Sequence, residues 1–183
     1  MKKIIKMKSL DEKFREIISS KEWDNLQKDF NKASHIYIIG NGGNLAVADH
    51  AAIDISRLSK KSAAAPGSGI LASSIINEVG FDNWLKKWLE FTFKNKEELN
   101  KILIIGITTS SKSTNVFNAL NWANERGAMT GILAGQDSNQ LPKDCNTIQL
   151  AVDYYHTAEV LSLLLFYQLI EDSGAFCPKI SNN

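Results

Sequence analysis

His50 and Asp54 stand four residues apart in the stretch LAVADHAAIDISRL, and a helical repeat puts both on one face, one turn apart. A neutral imidazole beside a carboxylate at that spacing can serve as an acid/base pair or hold a divalent metal. The same carboxylate can equally pair with Arg57, leaving His50 an ordinary polar neighbour. His156 and Glu159 repeat the theme three residues apart in YYHTAEV. The remaining histidine, His35, opens an apolar run and reads as structural.

A second chemistry is anion binding. The stretch GNGGN (40–44) follows the apolar run HIYII and precedes a helical pattern. Gly40, Gly42 and Gly43 allow positive φ and close backbone approach to a ligand. The stretch GITTSSKST (106–114) has the same setting and carries hydroxyls at Thr108, Thr109, Ser110, Ser111 and Ser113. Hydroxyls so spaced, with main-chain N–H groups, can wrap the oxygens of one phosphate. Each following helix adds unpaired N–H groups and the positive end of its dipole. Glycines also make tight turns and hydroxyls also cap helices, so either stretch alone serves structure as readily as binding. Two such stretches after two strands of one sheet point to a phosphate.

Nucleotide cofactors fit poorly. A dinucleotide fingerprint needs a glycine where Leu45 stands, and no acid closes the second strand near residues 60–65. Residues 106–113 approach a P-loop, but Ser111 replaces the glycine that wraps the phosphates.

The elements that must position these residues alternate. Strands are expected at 35–39, 62–65, 101–108, 129–135 and 147–152, and the fully apolar KILIIGIT asks for cover on both faces. Helices are expected from Asn44, acting as cap, to about Ser59, then over 69–77, 81–93, 114–127 and 154–171. Trp84, Trp88 and Phe91 share one helical face. Residues 8–33 carry apolar positions at steps of three and four, which predicts a long amphipathic N-terminal helix with a break near Ser20. The order predicts an α/β three-layer sandwich around a central parallel sheet of about five strands with right-handed crossovers. One domain over 1–183 is expected: a helical segment 1–33, an α/β core 34–173 and a frayed tail 174–183. In such sheets ligands sit beyond the carboxyl ends of the strands, where both loops lie.

Composition narrows the partners. The net charge is +1 with no basic block, which argues against nucleic acid and anionic lipid. No apolar run is long enough to span a bilayer, and the basic start lacks a signal-peptide core. Cys145 and Cys177 match no metal or redox spacing. These features lead us to expect a soluble cytoplasmic protein.

The stretches GNGGN with ADHAAIDI, NEVGF (77–81), ITTSSKSTNVFNAL (107–120) and the closing QLIE (168–171) resemble the sugar isomerase (SIS) domain family, and within it the phosphoheptose isomerases. The resemblance implies a flavodoxin-like or Rossmann-like fold and a ketose/aldose phosphate isomerase acting on sedoheptulose 7-phosphate or a similar sugar. It implies a homotetramer with sites at subunit interfaces. By position it assigns Asn41, Gly42, Asn44, Thr108, Thr109, Ser110 and Ser113 to the sugar phosphate. It puts Asp54 at the family's catalytic glutamate and His50 at its histidine metal ligand. It also puts His156 at a glutamine and Leu164 at the second catalytic residue, a histidine. Leu164 can neither accept nor donate a proton. His156 or Glu159 is then expected to supply the missing group, with Asp54 and His156 catalytic. His50, Asp54 and His156 form an alternative three-ligand zinc site. A binding protein without turnover, acting as a sensor or a partner of another protein, is the remaining reading.

Overall fold

The computed structural model describes residues 10–93 and 98–180. Five strands form one fully parallel sheet in the order β2-β1-β3-β4-β5: β1 (His35–Ile39), β2 (Ser62–Ala64), β3 (Ile102–Thr108), β4 (Met129–Ala134) and β5 (Asn146–Gln149). Alternation along the strands builds two cores. Ile36, Ile38, Leu103, Ile105 and Ile107 face a layer made by α1 (Leu10–Ile18), α2 (Lys21–Lys32), α3 (Gly43–Leu58) and α7 (Tyr155–Asp172). Tyr37, Ile39, Ile102 and Ile104 face α4 (Gly69–Val79), α5 (Trp84–Phe93) and α6 (Thr114–Asn124). Trp23, Leu26 and Phe30 of α2 are fully buried, and burying each side chain of that size contributes about 1.5–3 kcal/mol.

The sheet order sets where a ligand can sit. From β1 the chain crosses to β2 on one side, and from β3 it crosses to β4 on the other. The crevice at this switch point opens between the carboxyl ends of β1 and β3, where GNGGN and TTSSKS emerge.

The expected break near Ser20 is present and splits the N-terminal segment into two helices, because the Ser20 side chain turns back to accept the Trp23 N–H (3.1 Å) and caps α2. Residues 8 and 9 of the expected helix, and residues 1–7 before it, lie outside the described residues. Several elements differ from expectation. Asn44 does not cap α3: Gly42, at φ 56°, stands at that position, and the Asn44 amide turns across the crevice instead. Trp84 and Trp88 are buried, whereas Phe91 points outward. The tail is tied rather than frayed through residue 178. Ala175 packs on the core, and the Cys177 N–H donates to Glu171 Oε1 (2.9 Å). Among the described residues, no helix is long and apolar enough to cross a membrane.

Candidate functional site

The first part of the site is the rim above β1 and β3. After β1 the chain must turn at once into α3, and Gly42 supplies the positive φ for that turn. Paired amides tie the two loops together: Asn41 Nδ2 donates to Asn115 Oδ1 (2.9 Å) and Asn115 Nδ2 donates to Asn41 Oδ1 (2.8 Å). Asn44 Nδ2 donates to Thr109 Oγ1 (3.1 Å), and both side chains are buried. Thr108 Oγ1 and Ser113 Oγ lie 2.9 Å apart, so one turn of the loop closes on itself.

Ser111, at the place where a P-loop has glycine, adopts positive φ (53°) and donates its hydroxyl to the Gln136 carbonyl. That conformation costs a non-glycine residue about 1–2 kcal/mol, which the buried hydrogen bond offsets in part. The neighbouring Gly135 is where Thr109 comes closest, since a Cβ there would meet the Thr109 carbonyl oxygen at 2.3 Å.

The start of α7 joins this rim. The Glu159 carboxylate lies over Gly43, where a Cβ would sit 2.1 Å from Glu159 Oε1. His156 is exposed on the first turn of α7, its ring stacked on Tyr154 at 5.6 Å. Lys112 is exposed at the loop apex.

The second part is a cavity of about 770 Å³ near the other end of α3, lined by His50, Asp54, Arg57, Leu164, Tyr167 and Glu171 among others, and bordered by Cys177 and Pro178 of the tail. Asp54 is 8% exposed, and both its oxygens are held: Oδ2 lies 3.1 Å from His50 Nε2, and Arg57 Nη2 donates to Oδ1 at 3.0 Å. Tyr167 Oη lies 3.0 Å from the same Nε2, and its ring meets the imidazole edge-on. Burial, then the charges of Asp54 and Cys177, hold the Tyr167 phenol above its ordinary pKa. Burial first, with Glu171 and Asp54 beside it, likewise raises the Cys177 thiol.

The helical spacing of His50 and Asp54 therefore yields a contact, and Arg57 joins it. His156 does not join it in the same chain, because it stands two turns of α7 before Leu164, about 12 Å along the axis. Leu164, not a histidine, faces the cavity. The three-ligand zinc set does not form within one chain. His50 and Asp54 satisfy each other, the Arg57 cation already neutralises the carboxylate, and no group of three metal-ligating side chains occurs among the described residues. Tyr167 was not expected from sequence. Its only trace there is a polar-tipped aromatic three residues after Leu164 in the apolar run SLLLFYQLI.

No protein-family model matches the chain. It is 33% identical over 156 residues to phosphoheptose isomerase 1 of Campylobacter jejuni, a match covering 78% of this chain and 79% of that protein. It is 32% identical over 123 residues to the phosphoheptose isomerase of Pelobacter propionicus, covering 64% of this chain and 62% of that protein. In fold it is similar to the phosphoheptose isomerase GmhA from Neisseria gonorrhoeae. That likeness has a TM-score of 0.75 at 20% identity, and covers 90% of this chain and 91% of the other.

Proposed function

The chain belongs to the phosphoheptose isomerase family, and on that premise we propose that it is a cytoplasmic sugar-phosphate isomerase acting on sedoheptulose 7-phosphate or a close analogue. The observation that carries this reading is Asp54, a buried carboxylate held by His50 and Arg57 at one end of the helix whose other end builds the rim. In this mechanism the phosphate rests on the α3 N-terminus, where Asn41, Gly42 and Asn44 meet the hydroxyls of Thr108, Thr109, Ser110 and Ser113. Asp54 removes a proton from the carbon beside the carbonyl. An enediol forms, and the proton returns to the neighbouring carbon. The contacts from Arg57 and the His50 ring fix the carboxylate in one orientation, and positioning of this kind is worth much of the barrier.

No rim residue lines the Asp54 cavity of the same chain. We therefore place the complete site between copies, in a homotetramer where the loops of one subunit face the cavity of another. Ile53 (64% exposed) on α3 and Val160 on α7 give the apolar surface that a neighbouring copy would cover. In this arrangement His156 accompanies the phosphate loops of its own subunit.

Leu164 in the cavity favours a second reading, a sugar-phosphate-binding protein without turnover. One experiment separates the two. Sedoheptulose 7-phosphate incubated with the protein in deuterium oxide should acquire deuterium at the carbon next to the carbonyl and give aldose product by NMR. Asp54→Asn should stop both. Tight binding with neither exchange nor product would establish the second reading.

A further inference from the structure

Tyr167 is a polar group of the cavity that the proton chemistry of Asp54 leaves unused. Tyr167 Oη and Asp54 Oδ2 both lie against a single nitrogen, His50 Nε2, at 3.0 and 3.1 Å. An imidazole nitrogen carries either one hydrogen or one lone pair. An ionised carboxylate can only accept and disfavours a lone pair facing it, so Nε2 carries the hydrogen; that hydrogen bonds Tyr167 Oη, and the Asp54 approach is a charge contact without a hydrogen bond. Tyr167 then meets an N–H, not a lone pair, and its oxygen is on the accepting side of that contact. The hydroxyl hydrogen of Tyr167 must turn elsewhere. Among the described residues His50 is its one hydrogen-bonding partner, and the side chain lines the cavity.

Helix geometry explains why this hydroxyl stands where it does. Tyr167 and Leu164 are three residues apart on α7 and share a face. Long helical side chains lean toward the helix N-terminus, so Tyr167 reaches back over the turn that carries Leu164. The polar group missing from position 164 is thereby delivered from one turn later.

We propose that Tyr167 is a catalytic residue of this site, its hydroxyl donating a hydrogen bond to the substrate oxygen that becomes negative when Asp54 takes the carbon-bound proton. The proposal rests on the isomerase reading for its substrate. The C–H electron pair moves into the carbon–carbon bond, the carbonyl pair moves onto oxygen, and the proton goes to Asp54. Within the enediolate the adjacent hydroxyl passes its proton to that oxygen, and Asp54 returns its own proton to the carbon that was the carbonyl. The tyrosine O–H bond stays intact throughout. His50 positions the phenol through its N–H.

Tyr167→Phe keeps the ring and the cavity and removes the donor. With sedoheptulose 7-phosphate, kcat should fall about a hundredfold while KM changes little, the pattern for a donor that acts mainly in the transition state. Far-UV circular dichroism and the melting temperature should match the parent. A phosphorylated sugar hydroxamate, a planar mimic of the enediolate, should bind the parent at least about tenfold tighter than Tyr167→Phe by calorimetry, with the ketose phosphate binding both alike. This arm does not need turnover. If the parent shows the hydroxamate preference but no exchange into substrate, the donor role stands and the isomerase reading fails. If the parent turns over and the variant matches it in both arms, the isomerase reading stands and the donor role is overturned. If neither protein binds hydroxamate or ketose phosphate, both fall.

Discussion

The two ends of α3 do different work and are built in different ways. At its amino end the site is mostly backbone and short polar side chains, contributed by two loops that each run without interruption in the chain. Farther along, it is a cluster of side chains in which Tyr167 meets His50 across 117 positions of sequence. The first end relies on unpaired N–H groups and a dipole that any tight turn into a helix provides. The second end has no such backbone feature, and its chemistry depends on which side chains face one another across α3 and α7. Binding of the phosphate and movement of the proton are therefore separable by mutation.

Asp54→Asn should give the largest effect. It removes the base and leaves the rim intact, so turnover should fall by on the order of a thousandfold, with sugar-phosphate affinity by calorimetry changed little. Gly135→Ala should do the reverse. Its Cβ would lie 2.3 Å from a backbone oxygen that cannot give way, so the loop at Thr109 must shift. Overpacking of this kind costs about 1–3 kcal/mol in denaturant unfolding, and phosphate affinity should drop with it.

Thr109→Val is a milder cut at the same end. It strands the buried Asn44 amide at a cost of about 1–3 kcal/mol and should weaken the ketose phosphate more than it slows a bound substrate. Ser20→Ala lies at neither end. Loss of the α2 cap should lower stability by about 1 kcal/mol and leave kcat and KM where they were, which serves as the control for the other variants.

The same contrast explains what was readable before the fold was known. The inner strands β1 and β3 were visible as apolar runs, since strands covered on both faces leave no polar alternation to confuse the pattern, whereas the edge strands β2 (SAA) and β5 (NTIQ) are short and partly polar and gave a weaker signal. The rim was visible because its residues are contiguous. Helical spacing allowed both the His50–Asp54 and the Asp54–Arg57 contacts without choosing between them, and the structure holds both. Tyr167 was not legible, because an aromatic in an apolar helix reads as core until its opposite helix is placed. His156 was expected beside His50 and Asp54 because spacing gives a residue's face on a helix but not how far along a neighbouring helix it falls. Asn44 was expected to cap α3, and the hydroxyl of Thr109, brought in from β3, took its amide instead. Ser20 was legible as a break because its capping hydrogen bond reaches only three residues ahead.

A crystal structure of the Asp54→Asn protein with sedoheptulose 7-phosphate tests the central claim directly. The account predicts the phosphate seated among the Thr108–Ser113 hydroxyls and the α3 N-terminus, with the reacting carbons beside position 54 and the Tyr167 hydroxyl of a neighbouring copy. A sugar phosphate bound away from that rim, with the threonine and serine hydroxyls hydrated by solvent, would contradict it.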